Sequence, residues 1–114
     1  MMNFKNWQAY LRRDGHCPHC GKTDSTLIPQ HRINRGMGGS KNLNRPSNII
    51  VFCSYANGLI ESDSKWVEMA REFGWKLYSW QNPEFTPVYD KPSDTWWMLD
   101  DDFGKVVYLD DGVK

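Results

Sequence analysis

Gln30-His31-Arg32-Ile33-Asn34-Arg35-Gly36-Met37-Gly38-Gly39, then Pro46-Ser47-Asn48-Ile49-Ile50-Val51-Phe52-Cys53-Ser54-Tyr55-Ala56-Asn57 and finally Glu61, is the stretch on which the reading of this chain turns. Leu27 to Ile33 alternates between apolar and polar residues and predicts a strand, with His31 inside it. Asn34 to Ser40 predicts a loop in which Gly36, Gly38 and Gly39 allow close backbone approach beside the positive charges of Arg32 and Arg35. Pro46 biases Arg45 toward an extended backbone. Ile49 to Phe52 reads as a buried strand leading into a short helix, Cys53 to Ser62, on which Asn57 and Glu61 share one face.

Upstream lies Cys17-Pro18-His19-Cys20-Gly21, the form of a knuckle in which two thiolates on a tight turn present half of a tetrahedral zinc site. Cys53 is the candidate third ligand. Three residues after it stands Ala56 where a fourth cysteine would be expected, and His16 and His19 are the candidates to fill the gap. A structural Zn²⁺ is the sharper reading of Cys17, Cys20 and Cys53; buried reduced thiols are the plainer one. Three cysteines with no secretion signal do not form a disulfide framework.

Working outward, Asn3 caps a predicted helix whose apolar stripe is Phe4, Trp7, Tyr10 and Leu11, with Asp14-Gly15 as its end. Arg12 and Arg13 in its last turn complement the helix dipole or meet phosphate. Downstream, Asp63 or Ser64 caps a helix over Lys65 to Phe73, stopped by Gly74. Trp75 to Trp80, Pro87 to Tyr89, Thr95 to Leu99 and Lys105 to Leu109 predict β structure. Asp100-Asp101-Asp102-Phe103-Gly104 fits a hairpin turn better than a metal cluster. The fold class is α+β.

A length of 114 residues suits one domain, and six Trp, five Tyr and five Phe make aromatic rings a large share of its core. No apolar run is long enough to cross a membrane and no signal-peptide pattern opens the chain, so a cytoplasmic, intracellular protein is expected. Net charge is zero, but residues 1–62 carry eight Lys/Arg against three acids and residues 63–114 six against eleven. The basic half is therefore expected to meet a polyanion, with solvated opposite faces as the plain alternative.

From the C-x-x-C through His31, Arg35-Gly36-Met37-Gly38-Gly39 and Pro46-Ser47-Asn48 to Cys53 and Asn57, the chain resembles the HNH endonucleases, in particular small ones encoded by phages and prophages. The resemblance spans roughly residues 15 to 62. It implies a two-stranded hairpin and helix around one divalent metal, a ββα-metal core with a partial zinc ribbon alongside. On this view residues 1–62 form the N-terminal helix and HNH-like module, and 63–114 a helix and small antiparallel meander extending the same domain.

By position, the resemblance makes His31 the general base and Asn48 the residue that orients it. Gln30, Asn57 and Glu61 become the candidate ligands for Mg²⁺ or Mn²⁺. Arg32, Arg35, Lys41 and Arg45 become the grip on the DNA backbone. Gln30 stands where the family prefers Asp or His, and neutral amides hold hard cations poorly. The implied activity is metal-dependent hydrolysis of DNA phosphodiesters, one nick per site, in a bacterial host. The alternative is a catalytically silent HNH-like module that binds DNA or a phage or host protein. A third reading is an adaptor that binds through an aromatic C-terminal sheet containing Trp96 and Trp97.

Overall fold

The computed structural model describes residues 3–34 and 41–109. At its centre β1 (Leu27–His31) runs antiparallel to β2 (Ile49–Cys53), with Leu27 opposite Cys53 and His31 opposite Ile49. The chain passes from β2 directly into α2 (Ser54–Ser62), so the expected hairpin-and-helix order is present. All five residues of β2 are buried. The strand lies against both α1 (Phe4–Asp14) and α2, and the Phe52 ring meets Trp75 at 5.2 Å. Each wholly buried Ile or Phe contributes about 1.5–3 kcal/mol, which makes this short strand the hydrophobic anchor of the molecule.

Helix α1 begins where the Asn3 side chain accepts a hydrogen bond from the Asn6 amide and ends at Gly15, whose φ of 75° L-residues with side chains rarely adopt. Its apolar stripe starts one turn later than expected: Tyr10 is buried and Trp7 and Leu11 half-buried, whereas Phe4 is 75% exposed. Arg13 turns inward. Its guanidinium donates to the Pro46 and Ile49 carbonyls and to the Asp14 carboxylate, tying α1 to the start of β2.

Helix α3 (Ser64–Glu72) is capped by the Asp63 carboxylate, which accepts from the Lys65 and Trp66 amides. The strand expected over Trp75 to Trp80 does not form. After the turn at Gly74, the Trp75 and Lys76 amides both return to the Ala70 carbonyl and the Leu77 amide donates to the Arg32 carbonyl. The helix end thus captures the donors that a sheet would need, and the Trp75 indole is buried with its N–H on the Tyr89 carbonyl.

The remaining sheet is a meander of β3 (Val88–Asp90), β4 (Thr95–Leu99) and β5 (Lys105–Val107). Between the last two, the Asp100 carboxylate accepts from the Asp102 and Gly104 amides, the turn chemistry that the aspartates predicted. A Cβ at Gly104 would overlap that carboxylate. No helix among the described residues is long and apolar enough to cross a membrane.

Polar bonds sew the two halves of the chain together. His16 meets Asp90 at 2.8 Å, Arg45 meets Glu84 at 2.8 Å and Asp101 at 2.9 Å, and the Ser47 amide donates to Asp101 at 2.9 Å. Burial alone would raise the Asp101 carboxyl, but the bonds from Ser47 and the Arg45 charge outweigh it and hold it below the usual carboxylate value.

Candidate functional site

His31 ends β1 with its ring half-buried and Nε2 2.9 Å from the Asn44 side-chain oxygen. The residue that holds His31 is therefore Asn44 rather than Asn48. Asn48 is fully buried: its oxygen accepts from the Ile33 amide at 2.8 Å, and its nitrogen donates to the Ile33 carbonyl at 3.1 Å and the Leu43 carbonyl at 2.9 Å. It clasps the two roots of the glycine-rich segment. Nothing in the sequence separated Asn44 from Asn42 or Asn48, because only the short 3-10 turn at Lys41–Asn44 brings it to the ring.

The three candidate cation ligands are found in other bonds. Gln30 is buried; its amide nitrogen donates to the Trp75 carbonyl at 2.9 Å, and its oxygen accepts from the Asn57 amide at 3.1 Å. A carbonyl can only accept, so the Trp75 bond fixes which end of the Gln30 amide faces Asn57. Gln30 and Asn57 are thus brought together, joined to each other as donor and acceptor. Glu61 pairs with the Lys76 ammonium at 2.6 Å. That ammonium also donates to the His31 carbonyl at 3.0 Å and the Asn34 side-chain oxygen at 2.6 Å. The cation beside the end of β1 is therefore a lysine from the second half of the chain, which carries no sequence signal for this role.

Two neutral amides bonded to one another and a carboxylate neutralised by lysine do not fit Mg²⁺ or Mn²⁺, which favour free carboxylate oxygens. Among the described residues, the cluster of His, Cys, Asp or Glu ligand atoms that could hold a metal is the cysteine cluster described below.

The expected backbone grip also changes. Arg32 has 0% exposure and cannot reach DNA. Its guanidinium donates to the carbonyls of Gly74, Ser47, Pro83 and Thr86 at 2.6–3.0 Å, with a longer approach to Pro87 at 3.5 Å. Burial, and then the neighbouring Arg13 charge, pull its pKa down; the converging carbonyls hold the cation in place. Arg45 is held by Glu84 and Asp101. Arg35 and the Lys41 side chain lie outside the described residues.

Cys17, Cys20 and Cys53 converge, with all three sulfurs within 4.8 Å of one another and Cys20 Sγ 3.7 Å from Cys53 Sγ. Zinc–thiolate bonds of about 2.3 Å in a tetrahedron place neighbouring sulfurs about 3.8 Å apart, so the donor set can hold a metal such as zinc. The backbone favours thiolates there. The amides of Cys53, Cys20 and His19 serve Cys17, and the Ala56 amide points at Cys53 Sγ at 3.4 Å. Even so, burial pushes the Cys17 thiol up to about 12. At Cys20 burial is outweighed by the Lys22 amide and the Cys53 and Cys17 side chains, which lower it below the ordinary thiol value. Neither histidine fills the fourth place: His16 is bound to Asp90, and His19 packs on the Trp66 and Trp75 rings with its Nδ1 buried and unpartnered.

Comparison with protein-family models, with curated proteins and with solved structures returns no match.

Proposed function

We propose that the chain is an HNH-type ββα module that binds the DNA backbone through its glycine-rich basic segment and lacks a working divalent-metal centre. The observation that carries this reading is the bond between Gln30 and Asn57, which joins two of the expected ligands to each other, while the third, Glu61, is paired with Lys76. The hairpin running into α2, with His31 at the strand end, supports the HNH-type architecture. The three converging thiols support a Zn²⁺ staple, Cys17, Cys20 and Cys53, that fixes the knuckle to the end of β2. Of the four cations read from the sequence as the grip on the DNA backbone, Arg32 and Arg45 are committed to internal bonds, which leaves Arg35 and Lys41 of that set.

A second reading, phosphodiester hydrolysis with His31 as general base, is favoured by one observation: the Asn44 side chain holds the ring through Nε2 at 2.9 Å. Both readings require nucleic-acid binding. Fluorescence anisotropy with a labelled duplex over a series of salt concentrations tests it. Removing one phosphate-binding cation should reduce the slope of log affinity against log salt by about 0.9, so Arg35→Ala with Lys41→Ala should flatten it by about two. Binding that ignores salt, or a slope unchanged in the double variant, would remove the basic segment from the interface.

A further inference from the structure

Of the three sulfurs that converge beside β2, those of Cys17 and Cys53 belong to buried residues, whereas Cys20 is exposed. Cys20 Sγ lies 3.7 Å from Cys53 Sγ. A disulfide holds its sulfurs about 2.05 Å apart, so the Cys20 turn has only a short distance to close. Backbone bonds keep the pair together without help from a metal. The Cys17 amide donates to the Lys22 carbonyl at 3.0 Å, the Gly21 amide to the Cys17 carbonyl at 2.8 Å and the Lys91 amide to the Pro18 carbonyl at 2.9 Å, so the turn rests on the end of β3. On the other side, Cys53 pairs with Leu27 in the hairpin and the Ser54 amide donates to the Thr26 carbonyl at 2.9 Å.

The two buried sulfurs are held unequally. The amides of Cys53, Cys20 and His19 serve Cys17, whereas Cys53 Sγ receives the Ala56 amide at 3.4 Å. Cys53 is therefore the freer of the two to meet Cys20. Because Ala56 stands where a fourth cysteine would, one disulfide between them leaves a single thiolate, Cys17, for a metal that needs several.

We infer that Cys20 is an oxidation site for a hydroperoxide and that Cys53 resolves it, so that the cluster exchanges its zinc staple for a Cys20–Cys53 disulfide. This rests on the zinc-staple reading above. Cys20 Sγ attacks the peroxide; an S–O bond forms, the O–O bond breaks, and the departing oxygen takes the thiol proton, or one from solvent, to leave as water or an alcohol. Cys53 Sγ then attacks Cys20 Sγ; the S–S bond forms, the S–O bond breaks, and the sulfenic oxygen leaves as water with the second proton. Two electrons pass from the sulfurs to the peroxide.

The test treats the reduced, zinc-loaded protein with hydrogen peroxide. Released zinc is followed with a chromophoric chelator, thiols by titration and disulfides by non-reducing peptide mapping. One zinc should appear for every two thiols lost, the map should give Cys20–Cys53, and a thiol reductant should restore zinc binding. In metal-free Cys20→Ser, its fold checked by circular dichroism, the remaining buried thiols should resist the same treatment. Zinc retained under peroxide, a Cys17–Cys20 disulfide in its place, or folded Cys20→Ser oxidised as fast as wild type overturns the inference; the mapping on wild type stands whether or not the variant folds. Reduced wild type that binds no zinc overturns the staple and its exchange together.

Discussion

Arg32 stands beside the candidate base and, by position, belongs to a phosphate grip; the fold uses it as an internal clamp. Its planar guanidinium joins the Ser47 carbonyl next to β2, the Gly74 carbonyl after α3 and the Pro83 and Thr86 carbonyls ahead of the meander. Arginine suits this role because its five N–H donors spread in one plane, while lysine presents a point charge. Replacing Arg32 with Met should leave several buried carbonyls unpaired and lower stability by about 3 kcal/mol or more in urea unfolding, with no specific change in the salt slope of DNA binding. The same lesson holds for Gln30. Its type and position were legible, but its partners, Trp75 and Asn57, stand 45 and 27 residues further along the chain and only the fold brings them to it.

Among the elements, the Cys17–Gly21 turn supplies Cys17 and Cys20, while the start of α2 supplies Cys53 and, at the position expected for a fourth cysteine, Ala56, which is buried and whose amide points at Cys53 Sγ. Ala56→Cys should therefore complete the donor set and slow the release of zinc to a competing chelator relative to wild type; unchanged release would mean that residue 56 does not face the metal. The pH dependence follows from Cys17. Its raised pKa means that the metal-free fold keeps a neutral thiol, so zinc binding must expel that proton, and affinity should fall by about tenfold for each pH unit lowered per proton released. In the metal-free protein the sign is reversed: stability held below the ordinary thiol value of 9.0 is lost as pH rises toward about 12. Both arms are read by chelator competition and thermal unfolding across pH. The helices and the β1–β2 hairpin were legible here because caps and apolar patterns are local. The stretch after Gly74 was not, because the Ala70 carbonyl and the Arg32 clamp override its strand-like composition.

Across the molecule, the charge asymmetry of the sequence is partly matched within the fold, where Arg45 meets Glu84 and Asp101, and Lys76 of the acidic half meets Glu61 of the basic half. Summed charge could suggest a polyanion-binding face, but it could not show which cations remain available, since pairing is a property of the seam between the halves. The same seam decides the chemistry of the centre, because Lys76 and the Trp75 carbonyl reach across it to Glu61 and Gln30. The most direct measurement is nicking of supercoiled plasmid in Mg²⁺, Mn²⁺ or EDTA by wild type, by Gln30→Asp with Asn57→His, and by that double variant carrying His31→Ala. Wild type should give no metal-dependent nicking, the double variant should gain it, and the added His31→Ala should abolish that gain. Metal-dependent nicking by wild type that disappears in His31→Ala alone would contradict this reading and show that Gln30 and Asn57 serve a cation after all.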